Sequence, residues 1–145
     1  MQLPLSFFER LPKTDLHVHL DGSLRIETIL ELASEQGVKL PAETREGLLG
    51  AMNCGVRTGS LVEYLKAFDI TLRVLQTEES LVRVAYELCE DAAKENVRYM
   101  EIRYAPMLHT QKGLRLTTVV EAVLSGIARA RKELGIHAKV IICGI

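Results

Sequence analysis

The chain has 145 residues, with 18 Lys and Arg against 19 Asp and Glu, 48% hydrophobic and 26% charged residues, 10 Gly, 4 Pro and 3 Cys. That composition excludes a disordered tail, a collagenous repeat and a disulfide scaffold, and a net charge of -1 with both signs interspersed provides no field for nucleic acid or an anionic membrane. The length supports one domain with its own core, but not a closed barrel of eight strand–helix units, which takes about 250 residues.

The longest clean apolar run, residues 139–145, is far below the roughly 20 residues of a membrane span. The first ten residues lack the basic and apolar regions of a secretion signal, so a soluble protein of the reducing cytoplasm is expected. Cys54, Cys89 and Cys143 are odd in number and form no C-x-x-C pair, and are read as small apolar fillers.

In chain order, Leu16, Val18 and Leu20 alternate with Asp15, His17, His19 and Asp21, predicting a strand with one apolar and one ionisable face. Gly22 breaks it. Ser23 is expected to cap a helix over 25–36 that Gly37 stops, and Pro41 to open a short helix containing Leu48, Leu49 and Met52. After a loop from Gly55 to Gly59, a third helix starts at Ser60 with Leu61, Tyr64, Leu65 and Phe68 as its apolar stripe. A fourth, capped by Thr77, runs to Asn96. Val97 to Tyr104 alternates again up to Pro106, a second strand, and a polar loop from His109 to Gly113 follows. Thr118 and Glu121 have the spacing of a capping box for a fifth helix that Gly135 ends. Residues 138–145 have the composition of a strand buried on both faces. Strands separated by helical crossovers pair in parallel, so the class is α/β. With no helix after the last strand, its apolar edge is expected to lie uncovered and to favour self-association.

The chemistry concentrates at His17 and His19. Residues i and i+2 of a strand project from one face, about 6–7 Å apart, so the two imidazoles can converge on a divalent ion with Asp15 and Asp21 beside them. The same pattern also suits hydrogen-bonded polar residues at a strand end, and both readings are open on the residues alone. Catalytic zinc takes three protein ligands plus water, and no third is evident. His109 reads as a solvated loop residue, and His137 lies at the amino end of its strand, away from the site. Glu101 and Arg103 read as an inward ion pair beside Tyr99. Arg129, Arg131, Lys132 and Lys139 read as a solvated helix end without interleaved aromatics for nucleic acid.

The run from Leu11 to Ser23, containing His17-Val18-His19-Leu20-Asp21-Gly22-Ser23, resembles the adenosine deaminases. So do Glu27 to Leu30, Ser60 to Asp69 and Tyr99 to Pro106, so the resemblance spans essentially the whole chain. It implies an α/β fold made of the first three βα units of a TIM (β/α)8 barrel, with extra helices between strands 1 and 2, and residues 1–145 as the amino-terminal part of one barrel domain. It further implies zinc-dependent hydrolysis of adenosine and 2'-deoxyadenosine to inosine or deoxyinosine and ammonia, in purine salvage. His17 and His19 match zinc ligands, His19 and Asp21 match substrate contacts, and Leu61, Tyr64, Leu65 and Phe68 match a lid over the purine. The related adenine and aminofutalosine deaminases commonly carry Glu at the position of Asp21, so Asp favours the nucleoside. The family's H-A-G-E segment, its catalytic His and its Asp-Asp pair are absent. No catalytic residue is therefore expected within this chain, and the chain alone is expected to be inactive. The readings from other classes are another H-x-H metal hydrolase, acting on a phosphoester or cyclic amide, and a non-catalytic fragment that only associates with other chains.

Overall fold

A computed structural model describes residues 3–52 and 61–144, and of residues 61–64 and 66 the backbone. Its elements are α1 (Leu5–Arg10), β1 (Lys13–His19), α2 (Ile26–Gln36), α3 (Arg45–Met52), α4 (Leu61–Val74), α5 (Glu78–Lys94), β2 (Val97–Tyr104), a 3-10 turn (Pro106–His109), α6 (Leu116–Leu134) and β3 (His137–Ile142). The three strands form one parallel sheet in the order β1-β2-β3, so the chain is α/β. Cys54, the Gly55–Gly59 loop, Ser60 and the side chains of Leu61 and Tyr64 lie outside what is described.

The core lies between β2 and the α5–α6 pair. Met100, Ile102 and Tyr104 alternate with the half-buried Tyr99, Glu101 and Arg103, so one face of β2 meets the helices and the other carries the polar groups. Val84, Ala85, Leu88 and Cys89 of α5 meet Val119, Ala122, Val123, Ile127 and Ala130 of α6 in one buried cluster. The two helices approach so closely at Gly126 that a Cβ there would run into the Val82 carbonyl oxygen and the Ala85 side chain. Cys89 is buried, and burial pushes its thiol up to about 11, which leaves it an inert apolar filler. Arg25 reaches from the start of α2 to Glu90 and Asp91 on α5, while the Thr28 hydroxyl donates to Glu87, so α2 is fastened to the same layer.

Several terminators behave as their chemistry predicts. Thr77 accepts from the Ser80 N–H and Ser80 reciprocates, a capping box at the start of α5. Asn96 stands at φ 63°, a left-handed residue linking α5 to β2. Gly37 and Gly135 take the same conformation after α2 and α6.

Other local expectations fail for identifiable reasons. Ser23 does not cap α2; its hydroxyl donates to the His19 carbonyl at 2.6 Å and closes the turn after β1. Pro41 does not open α3, which begins at Arg45, where Thr44 accepts the Gly47 N–H that proline has no side chain to receive. The helix expected at Thr118 starts earlier, at Leu116, without a side-chain cap. β1 bulges: it advances from Asp15 to Val18 while β2 advances only from Met100 to Ile102, and Leu16 is left 57% exposed beside a buried Leu20. Nor is β3 buried on both faces. It is an outer strand with Ala138 and Val140 against the core and Ile142 53% exposed.

Candidate active site

The polar groups gather at the carboxyl ends of β1 and β2, where parallel α/β folds place their sites. The His17 and His19 rings share one face of β1, with centroids 5.4 Å apart. Asp15 does not join them. Its carboxylate accepts the His17 backbone N–H at 3.2 Å and so supports the bulge. Past the strand end, the Leu20 N–H donates to the Arg103 carbonyl at 3.0 Å, which ties the turn to β2. The Phe68 ring of α4 lies on that turn: a Cβ on Gly22 would meet it at 3.3 Å, and it approaches the His19 ring edge-on at 6.2 Å. Leu65, from the same expected stripe, is exposed.

Arg103 corrects the expected ion pair. Its guanidinium lies 3.0 Å from His17 Nε2 rather than on Glu101, whose carboxylate accepts the Tyr99 hydroxyl at 2.9 Å. The same guanidinium nitrogen lies 3.4 Å from His17 Nδ1, so it sits beside both ring nitrogens and not along the lone pair of either. A neutral imidazole nitrogen is a metal ligand, so the two rings have the chemistry of ligands. Among the described residues no group of three or more His, Cys, Asp or Glu could hold a metal ion. Two imidazoles are one fewer than the three protein ligands that catalytic zinc uses.

Asp21 is 6% exposed, and its Oδ1 has no hydrogen-bond partner; His19 Nδ1 is 3.9 Å away, beyond hydrogen-bond range. Burial raises its carboxyl above the ordinary range, partly opposed by His109, its own backbone N–H and His19.

His109 overturns its reading as a solvated loop residue: it is fully buried in the 3-10 turn. Its Nδ1 is 3.0 Å from the Leu75 carbonyl, and burial lowers its pKa against the smaller opposing effects of that bond and of Asp21. The available signal was its place after Pro106, at the same end of the sheet as His19; the polar loop composition concealed it. Gln76, also missed, donates to the Leu72 and Leu108 carbonyls at 2.8 and 2.9 Å and accepts the Gln111 N–H at 3.0 Å, strapping the turn to the α4–α5 junction. No helix among the described residues is long and apolar enough to cross a membrane.

The adenosine deaminase family model matches residues 12–145. Over 144 residues the chain is 46% identical to a probable adenosine deaminase of Dictyostelium discoideum, covering 99% of this chain and 19% of that protein. Among solved structures, an adenine deaminase from Arthrobacter aurescens superposes with TM-score 0.80 at 31% identity, covering 90% of this chain and 39% of that one. An amidohydrolase from Burkholderia ambifaria with bound Zn gives TM-score 0.79 at 26% identity, covering 98% of this chain and 39% of that one. These neighbours make the three-stranded sheet an opening portion of a (β/α)8 barrel. The chain spans between 19% and 41% of the length of curated relatives that it matches.

Proposed function

Because the chain belongs to the adenosine deaminase family, we propose that it forms the amino-terminal part, residues 1–145, of a barrel enzyme that hydrolytically deaminates adenosine and 2'-deoxyadenosine in cytoplasmic purine salvage. The observation that carries this is the His17 and His19 pair, whose rings share one face of β1 with centroids 5.4 Å apart. Zinc bound there would supply Lewis acidity and a nucleophilic water near neutral pH. His17 and His19 would hold the ion. Asp21, at the strand end beside His19, accepts a ribose hydroxyl, and Phe68 shields the turn from water. Asp21 stands where the resembled adenine and aminofutalosine deaminases commonly carry Glu, and by that resemblance it favours the nucleoside.

The general acid and base lie outside these residues, so the 145-residue chain alone does not deaminate. Purified chain is incubated with zinc and adenosine, and the adenosine absorbance is followed. A chelator-sensitive conversion to inosine would overturn the claim of inactivity. Zinc titration tests the ligand claim separately: wild type binds, His19→Ala binds at least tenfold more weakly, and equal affinity would sink the assignment.

A second reading is self-association without catalysis. Its support is the exposed Ile142 and the adjoining apolar groove of about 470 Å³ lined by Pro106, Met107, Leu116 and Val120. Gel filtration decides it, and a monomer at high concentration excludes it.

A further inference from the structure

An imidazole on a solvent-facing strand turns among its rotamers, and that freedom is lost when the ring closes on an ion. His17 is exposed, yet its ring has a close neighbour. Arg103 Nη1 lies 3.0 Å from His17 Nε2 and 3.4 Å from His17 Nδ1. The two ring nitrogens flank Cε1, so an atom in the ring plane that close to both would overlap Cε1. The guanidinium nitrogen therefore lies over the face of the ring. A planar guanidinium stacks on such a face, whereas an ammonium is a compact, strongly hydrated point charge. Contact through the face holds the ring while leaving the in-plane direction of each nitrogen open, one for a metal and the other for the partner that fixes the tautomer.

The surroundings of Arg103 commit it to this contact. Its backbone is fixed where β1 ends, because its carbonyl accepts the Leu20 N–H at 3.0 Å and the residue stands opposite His19 in the parallel ladder. Glu101, two residues earlier on the same face, accepts the Tyr99 hydroxyl at 2.9 Å. Arg103 Nε is buried without a hydrogen-bond partner. That arrangement costs stability, and an arginine placed only to make an ion pair would not show it.

We propose that Arg103 is a positioning residue for His17: its guanidinium, packed on the ring face, restricts the imidazole to the orientation in which it stands 5.4 Å from the His19 ring at a tilt of 38°. A side chain that locks a ligand in place from outside the coordination sphere is a recurrent support of metal sites. The role toward a metal rests on the reading of His17 as a ligand, whereas the hold on the ring does not.

Arg103→Lys separates shape from charge, because it keeps the positive charge and removes the flat group. In isotope-labelled, zinc-free 145-residue chain, His17 is expected to show one χ1 rotamer in wild type and averaged rotamers in Arg103→Lys. On titration with zinc, Arg103→Lys is expected to bind about tenfold more weakly than wild type. A His17 rotamer unchanged in Arg103→Lys overturns the proposal, even where the unfolding midpoint falls, since a purely structural arginine would lower stability alone. Should the variant fail to fold, wild type decides: a nuclear Overhauser contact between the Arg103 side chain and the His17 ring is expected, and its absence overturns the proposal. A wild type that binds no zinc removes the ligand reading of His17 but leaves the rotamer comparison intact, so the two failures are distinguishable.

Discussion

Where α5 crosses α6, the buried contacts are mostly apolar: Gly126 admits the Val82 backbone, Thr77 and Ser80 cap each other, Ile102 joins the same core, and the Tyr104 hydroxyl is its one unpartnered polar atom among the described residues. At the carboxyl ends of β1 and β2, one residue from that core, Asp21, Arg103 and His109 each keep a buried polar atom without a partner. The first region lowers the free energy of the fold. The second costs stability, because a buried polar atom without a bond loses its hydration, and such local conflict is where a functional site is expected.

Substitutions that test this contrast differ in size. Ile102→Ala should cost about 3–4 kcal/mol in urea unfolding, since Ile102 is fully buried and its loss leaves a cavity. Gly126→Ala should cost about 2 kcal/mol, because the new methyl meets backbone and cannot be relieved by a rotamer change. Removing the cap with Thr77→Ala should cost about 1 kcal/mol. A loss for Gly126→Ala within error of zero would mean that the helices do not cross this tightly.

The site end should respond to acid instead. Burial depresses the His109 pKa below its ordinary 6.5, so its neutral form favours the fold above that pH, and the contribution is lost as pH falls through the lowered folded value. The Arg25-paired Glu90 and Asp91 have pKa values below the ordinary carboxylate range, so their losses come at lower pH. The stability difference between wild type and His109→Asn should therefore shrink below about pH 6.5, as read by unfolding at a series of pH values. A difference independent of pH would show that His109 is not held neutral. The smallest effect belongs to Leu16→Ser, within about 0.5 kcal/mol, because more than half of Leu16 already faces solvent.

Much of the architecture was legible in the residues because it depends on near neighbours. The period of two in 97–104, the αL positions at Gly37, Asn96 and Gly135, and the Thr77 cap are each decided within a few residues. The juxtaposition of His17 and His19 is equally local, needing only a strand. Ser23 and Pro41 show the limit even there. Each had a suitable residue type, but the Ser23 hydroxyl bonds the His19 carbonyl, and the Thr44 hydroxyl, not Pro41, serves the first turn of α3 by accepting the Gly47 N–H.

The sequence by itself determined the α/β class, the second strand, three helix stops and the pair of imidazoles. Only the tertiary structure decided that Arg103 faces His17 from 86 residues away, that His109 is buried on a carbonyl 34 residues earlier, and that Leu16 and Ile142 remain exposed. Periodicity states which side chains share a face. What lies opposite that face depends on residues distant in the chain, and burial, partners and protonation follow from them.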